Sequence, residues 1–307
     1  QPLWLLFVAI CRSITTDYTF YQFIHSLIFN ISFFIFINKY TKKKFTYLFI
    51  YFISLLYFYY AFEIQRETIA ISIFLFNIKN LEEKNWLKYY LLATLSFFFH
   101  ISAIFLFILP LFQKLEFTKI KIYILVFVTL FLLVFKNYLI DLITPFLFLE
   151  SMKNKAQSYS KIEFSTFGLF FFYFVRVILL LPIIISLNKE KIMNKYNWFL
   201  SSYLIISILS QYFVAFERLL NYLNPIYIIL IVRFLYLNVE DVRLRFFKKP
   251  ILLITFLHVF FILEYKLLIV NKYGQHYYSL FFPYESVLNP KDHDERELFY
   301  SHVWELN

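Results

Sequence analysis

Three short stretches of the chain combine residue types that could handle a charged substrate and move a proton. The first is Glu63-Ile64-Gln65-Arg66-Glu67-Thr68-Ile69-Ala70. Unbroken helical spacing would set Glu63, Arg66, Glu67 and Ala70 on one face. The small Ala70 would leave room beside a guanidinium able to grip phosphate through two parallel charge-assisted hydrogen bonds. The alternative is a polar turn that anchors two apolar spans at headgroup level, where charged residues are ordinary. The second stretch is Phe97-Phe98-Phe99-His100-Ile101-Ser102-Ala103, a histidine in otherwise unbroken hydrocarbon. Such a histidine is most often a hydrogen-bonded core member, yet its imidazole also titrates near neutral pH and can act on a substrate. The third is Glu217-Arg218-Leu219-Leu220-Asn221-Tyr222, followed by Asn224-Pro225. Tyr222 falls one helical turn after Arg218, and Pro225 cannot donate to the carbonyl of Asn221, which leaves polar backbone at that point. A plain helix start, with Asn224 as cap and Pro225 in the first turn, is the competing reading. Arg176 stands inside an apolar span, where a charge faces a bundle interior or a cavity; it either pairs with a glutamate or meets a ligand.

The elements that position these residues must sit in lipid. The chain has 307 residues and is 61% hydrophobic, 24% aromatic and only 16% charged, too apolar to build a water-facing surface. Glycine occurs only at Gly168 and Gly274, which excludes the glycine-rich loops that cradle nucleotide phosphates. The single cysteine, Cys11, excludes an internal disulfide and any multi-cysteine zinc or iron-sulfur site. His25, His258, His276, His293 and His302 have no metal-ligand spacing, and the run Lys291 to Glu297, with Asp292 and Asp294, reads as solvated surface. Neither a metal nor a cofactor is expected. The net charge of +10 is scattered between apolar runs, which points to loops facing an anionic leaflet and not to nucleic acid.

Apolar spans near bilayer length are expected at about 18–38, 46–62, 122–140, 164–187, 196–214, 219–237 and 251–270. Pro2 to Ser13 suits an interfacial helix. Because the chain opens on Gln1 instead of Met, a missing start is expected before it. Thr68 to Ile78 reads as short for a span, and Trp86 to Phe112 is one long apolar stretch interrupted by His100. If that stretch enters, turns near His100 and returns, the loops 39–45, 79–88, 113–121, 188–195 and 238–250 share a side and hold 17 of the 30 Lys and Arg. A single crossing reverses the positive-inside expectation, so the hairpin is preferred. Lys39, Lys42, Lys43 and Lys44 then mark the cytoplasm, while Arg66, His100 and Arg218 fall together on the opposite side. The expected fold is all-α: one polytopic membrane domain over 1–307, with about 9–10 apolar helical segments, short and broken ones included, around an outward-facing cavity. An outer loop at 141–163, carrying Tyr159, and a non-cytoplasmic tail at 272–307 complete it.

The stretch Tyr57 to Phe112, with Arg66-Glu67-Thr68-Ile69-Ala70, Lys88-Tyr89-Tyr90, Phe99-His100-Ile101-Ser102-Ala103 and Leu109-Pro110, resembles the EpsG family of polysaccharide polymerases, which includes many Wzy-type O-antigen and capsule polymerases. Arg218 and Tyr222 match the family's later Arg-x-x-x-Tyr, and Pro283-Tyr284 also looks like a family feature. The chain departs from the pattern at Glu67, where the family has Gln, and at Gln65, where it has an apolar residue.

The resemblance implies a polymerase at the outer face of the bacterial cytoplasmic membrane. It would transfer a growing glycan from undecaprenyl diphosphate to another lipid-linked repeat unit, in company with a flippase and a chain-length-determinant protein. The reaction needs an acceptor hydroxyl to lose a proton and a diphosphate to be stabilised as it leaves. Arg66 and Arg218 are the expected diphosphate contacts. Glu63, Glu67, Glu217 and His100 remain open as the base. Gln65, Ser102, Tyr159, Arg176, Asn221 and Tyr222 are the expected substrate-binding residues. A flippase or exporter of the same lipid-linked glycan should show repeated halves, and none is visible. An O-antigen ligase would share nearly all of this chemistry.

Overall fold

The computed structural model describes residues 1–54, 56–115, 118–135, 138, 166–188, 197–213 and 216–240, together with 253, 257 and 276. The expected outer loop 141–163 with Tyr159 lies outside the described residues, as do nearly all of the span expected at 251–270 and of the tail 272–307.

Among the described residues every regular element is a helix. In chain order they are α1 (Pro2–Ile14), α2 (Tyr18–Tyr40), α3 (Lys44–Ile53), α4 (Leu56–Phe58), α5 (Gln65–Glu82), α6 (Trp86–Phe99), α7 (Phe105–Ile108) and α8 (Lys119–Leu133). Then follow α9 (Thr166–Tyr173), α10 (Leu181–Asn188), α11 (Asn197–Tyr212) and α12 (Glu217–Glu240). Two π-helical turns, Tyr59–Glu63 and Phe174–Ile178, continue α4 and α9. Tyr18–Tyr40, Gly168–Ile185 and Glu217–Tyr236 are long and apolar enough to cross a membrane, and α3 with the bent segment after it makes a fourth if counted as one span.

Local sequence explains how α2 starts and what it buries. Asp17 caps it by accepting the Thr19 N–H at 2.8 Å. Tyr21, His25, Phe29, Phe33, Phe36 and Ile37 repeat at helical spacing and are buried, whereas Phe23, Leu27, Ile31 and Phe34 are exposed. A helix with large apolar groups on its open face as well as its packed one is built for lipid.

The central helix is α5, which extends beyond the apolar stretch Thr68–Ile78 at both ends. The helix has 18 residues, or about 27 Å at 1.5 Å per residue. Its polar first and last turns, Gln65-Arg66-Glu67 and Lys79 to Glu82, hid its length from a count of apolar residues. Its buried polar groups are satisfied from within: Thr68 Oγ1 donates to the Tyr60 carbonyl at 2.7 Å, Ser72 Oγ to the Thr68 carbonyl at 2.8 Å, and Asn77 Nδ2 to the Tyr89 carbonyl at 2.8 Å.

The hairpin forms as the charge distribution predicts. The helix α6 stops at Phe99, and His100 takes an extended conformation, φ −149° and ψ 133°. A 3₁₀ turn (Ile101–Ile104), α7 and a second 3₁₀ turn (Leu109–Lys114) follow. The Tyr89 hydroxyl donates to the Leu106 carbonyl at 2.6 Å, and Gln113 Nε2 donates to the Leu81 carbonyl at 2.8 Å, so the returning arm ends where α6 began. That end also gathers the Lys43 ammonium, 4.2 Å from the centre of the Tyr236 ring, and Leu115, whose carbonyl accepts from Ser201 Oγ at 3.1 Å. Lysines 39, 42, 43, 44, 79, 84, 114, 119 and 121 cluster in these connections and the turns beside them.

The helix α12 begins at Glu217 and runs through Pro225, which overturns the reading of Asn224-Pro225 as a helix start. Pro225 leaves the Asn221 carbonyl without its helical donor. The Tyr60 hydroxyl supplies one instead, at 2.9 Å, and the Tyr47 hydroxyl donates to the Pro225 carbonyl at 3.1 Å. Tyr60 thus replaces the hydrogen bond that the proline removes, and Tyr47 adds a second tie to the same turn.

Candidate functional site

At the end opposite the lysines, one carboxylate is drawn into the bundle. Backbone continuity breaks at Ile64, φ −109° and ψ 39°, between the π turn and α5. The expected single face of Glu63, Arg66, Glu67 and Ala70 is therefore split. Glu63 ends the π turn and is exposed, Arg66 is exposed in the first turn of α5, and Glu67 and Ala70 face inward. Glu67 is only 3% exposed. Its place in a helical first turn suits a negative charge, because the unpaired N–H groups and the helix dipole favour one there.

Ser102 Oγ donates to Glu67 Oε1 at 3.1 Å, lies 2.6 Å from His100 Nδ1 and 3.0 Å from the Tyr222 hydroxyl. The Ser102 N–H approaches His100 Nδ1 at 3.4 Å, so the imidazole also caps the 3₁₀ turn in which Ser102 sits. Three elements meet here, contributing a carboxylate, a hydroxyl with an imidazole, and a phenol. Tyr222 is fully buried, with its ring edge-on to Phe74 at 6.1 Å. Asn221 is 6% exposed and stands beside Glu67 and Tyr59, where its amide acts on both. Arg218, in the first turn of α12, is exposed and close enough for its charge to act on Glu67. Arg66 is exposed at the same end, near Tyr21. Among the described residues no three His, Cys, Asp or Glu side chains come together as a metal-binding group.

The sequence model of the EpsG family matches residues 1–286, which include every element and side chain of this cluster. The chain belongs to the EpsG family. This is a family of Wzy-like, polymerase-type membrane proteins. No curated protein and no solved structure matches the chain. Family and apolar helices together make this EpsG-family chain a multi-pass membrane protein.

Other expected site residues of the EpsG-family chain fall into different company. Arg176, in the π turn after α9, pairs with Glu217: Nη2 lies 2.7 Å from Oε1, with the side chains 21% and 38% exposed. Of the two roles the sequence left open for Arg176, the structure fills the pairing one. Gln65 is tied to α2, since its Oε1 accepts from the Tyr21 hydroxyl at 2.9 Å and its carbonyl accepts from His25 Nε2 at 3.0 Å. It anchors the first turn of α5, and hence the backbone that carries Arg66 and Glu67. Sequence reasoning overlooked Tyr21, His25 and Tyr60. Tyr21 and His25 were findable, because four residues apart they put two polar groups on the otherwise apolar stripe of α2. Nothing local marks Tyr60, whose partner lies 161 residues away.

Proposed function

We propose that this chain is a polysaccharide polymerase. It transfers a growing glycan from undecaprenyl diphosphate onto the non-reducing end of another lipid-linked repeat unit, at the outer face of the bacterial cytoplasmic membrane. One observation carries the reading: a buried carboxylate linked by hydrogen bonds to a half-buried imidazole shares the bundle end with two exposed arginines, Arg66 and Arg218. Transfer from a lipid diphosphate makes two demands, deprotonation of the acceptor hydroxyl and stabilisation of the departing diphosphate. The Glu67–Ser102–His100 group serves the first. The two exposed guanidiniums, in the first turns of α5 and α12, serve the second. The lysine-rich end lies in the cytoplasm by the positive-inside rule, which turns the cluster toward the periplasm or cell exterior, where lipid-linked units arrive from a flippase.

The test is deletion of the gene followed by gel analysis of surface polysaccharide. Loss of long chains, with a single repeat unit still attached, is expected. Complete absence of repeats would point to export or ligation and defeat the proposal. Arg66→Ala and Arg218→Ala should reproduce the deletion; normal chain lengths in both would remove the diphosphate role.

A further inference from the structure

We propose that Ser102 is a proton bridge which joins Glu67 and His100 into one composite base, with Tyr222 as the residue that positions the bridge. The inference rests on the polymerase reading. It begins from hydrogen counting. Ser102 has one hydroxyl hydrogen and three side-chain partners, His100 Nδ1 at 2.6 Å, the Tyr222 hydroxyl at 3.0 Å and Glu67 Oε1 at 3.1 Å. With Tyr222 donating, two arrangements satisfy all three contacts of the Ser102 hydroxyl. In one, His100 Nδ1–H donates to Ser102 and Ser102 donates to a Glu67 carboxylate. In the other, a Glu67 carboxylic acid donates to Ser102 and Ser102 donates to an unprotonated Nδ1, which also accepts the Ser102 N–H at 3.4 Å. The two differ by one proton at each end of the chain and by no heavy-atom position.

That pair of states fits one turnover. The acceptor hydroxyl gives its proton to His100 Nε2 as its oxygen bonds the anomeric carbon. The bond from that carbon to the diphosphate oxygen breaks, and its electron pair leaves with the diphosphate. The Nδ1 proton passes to Ser102 Oγ while the Ser102 proton passes to Glu67. His100 ends neutral in its other tautomer, and the negative charge of Glu67 has in effect moved to the diphosphate, beside the arginines. A carboxylate bonded directly to an imidazole keeps its charge and steadies an imidazolium. Here the hydroxyl stands between them, so Glu67 responds to the ring only through the hydroxyl proton. Glu67 is also faced by Arg218 and by the neutral Asn221, Tyr59, Tyr60 and Tyr222.

The experiment uses membranes containing the full chain, supplied with lipid-linked repeat units extracted from the deletion strain, with rates normalised to the amount of folded protein in detergent. Ser102→Val and Ser102→Thr have nearly the same shape and differ in the hydroxyl. Ser102→Val should lower kcat about 100-fold or more with KM little changed, and Ser102→Thr should stay within about 10-fold of the wild type. The double variant Glu67→Gln with Ser102→Val should be no slower than its slower single variant, because the groups act as a unit. Equal rates for Ser102→Val and the wild type would overturn the bridge alone. So would equal losses in the Val and Thr variants, or losses that multiply in the double variant. Wild-type membranes that fail to lengthen the added units would instead overturn the polymerase reading, and the bridge with it.

Discussion

Two polar groups sit at the same end of the bundle and draw on the same two turns of α12, yet they handle charge in opposite ways. Glu217 closes a 2.7 Å ion pair with Arg176, both side chains keeping part of their surface open. Glu67 is nearly fully buried and, among the described residues, takes part in no ion pair; it accepts a hydrogen bond from the Ser102 hydroxyl. A paired charge near the surface loses little hydration and gains little stability. A carboxylate taken out of water without a countercharge in contact is costly to hold, and such a group is poised to exchange a proton. The difference separates a carboxylate that is already occupied from one whose charge can change, although both stood equal as candidates for the base.

The sharpest way to break that contrast is to neutralise each carboxylate in place. Glu67→Gln should reduce chain polymerisation by about 10²- to 10⁴-fold, the range of general acid–base catalysis, and leave mostly single repeat units on a polysaccharide gel. Glu217→Gln should cost less than about 10-fold; equal losses in the two would erase the distinction. The next effect concerns the helix that supplies both groups. Tyr60→Phe strips the donor from the buried Asn221 carbonyl and should lower stability by about 1–3 kcal/mol, read from thermal unfolding in detergent. In a Pro225→Ala background, where the backbone N–H is restored, the same substitution should cost clearly less. A smaller change, about 1 kcal/mol, is expected for Arg176→Gln, and adding Glu217→Gln should recover part of it, as a double-mutant cycle would show. Smallest is Lys79→Ala at the opposite end, where the exposed pair with Glu83 spans 3.6 Å: no measurable shift in melting temperature should follow.

Much of the architecture was legible in the sequence. The hairpin at His100 followed from two facts together, an apolar stretch too long for one crossing and a charge balance that only a turn could restore. The gathering of Arg66, His100 and Arg218 at one end followed from the same topology. What stayed hidden had specific causes. The polar ends of α5 hid how far the helix runs beyond its apolar stretch. The break at Ile64 could not be seen, because Gln65-Arg66-Glu67 continues the helical pattern of the residues before it. The donor that replaces the one lost at Pro225 comes from Tyr60, in a distant part of the chain.

The sequence by itself determined the helical class, the apolar character of the bundle and the gathering of Arg66, His100 and Arg218 at one end, because all three depend on composition and on counting residues between turns. Only the tertiary structure decided which glutamate is buried and what it touches. The physical reason lies in the helices themselves. Where a helix is apolar nearly all round, as lipid-exposed helices are, its hydrophobic pattern no longer fixes which side faces inward. That rotation is set by partners such as Ser102 and Tyr222, 35 and 120 residues apart from the groups they meet, and no local spacing encodes it.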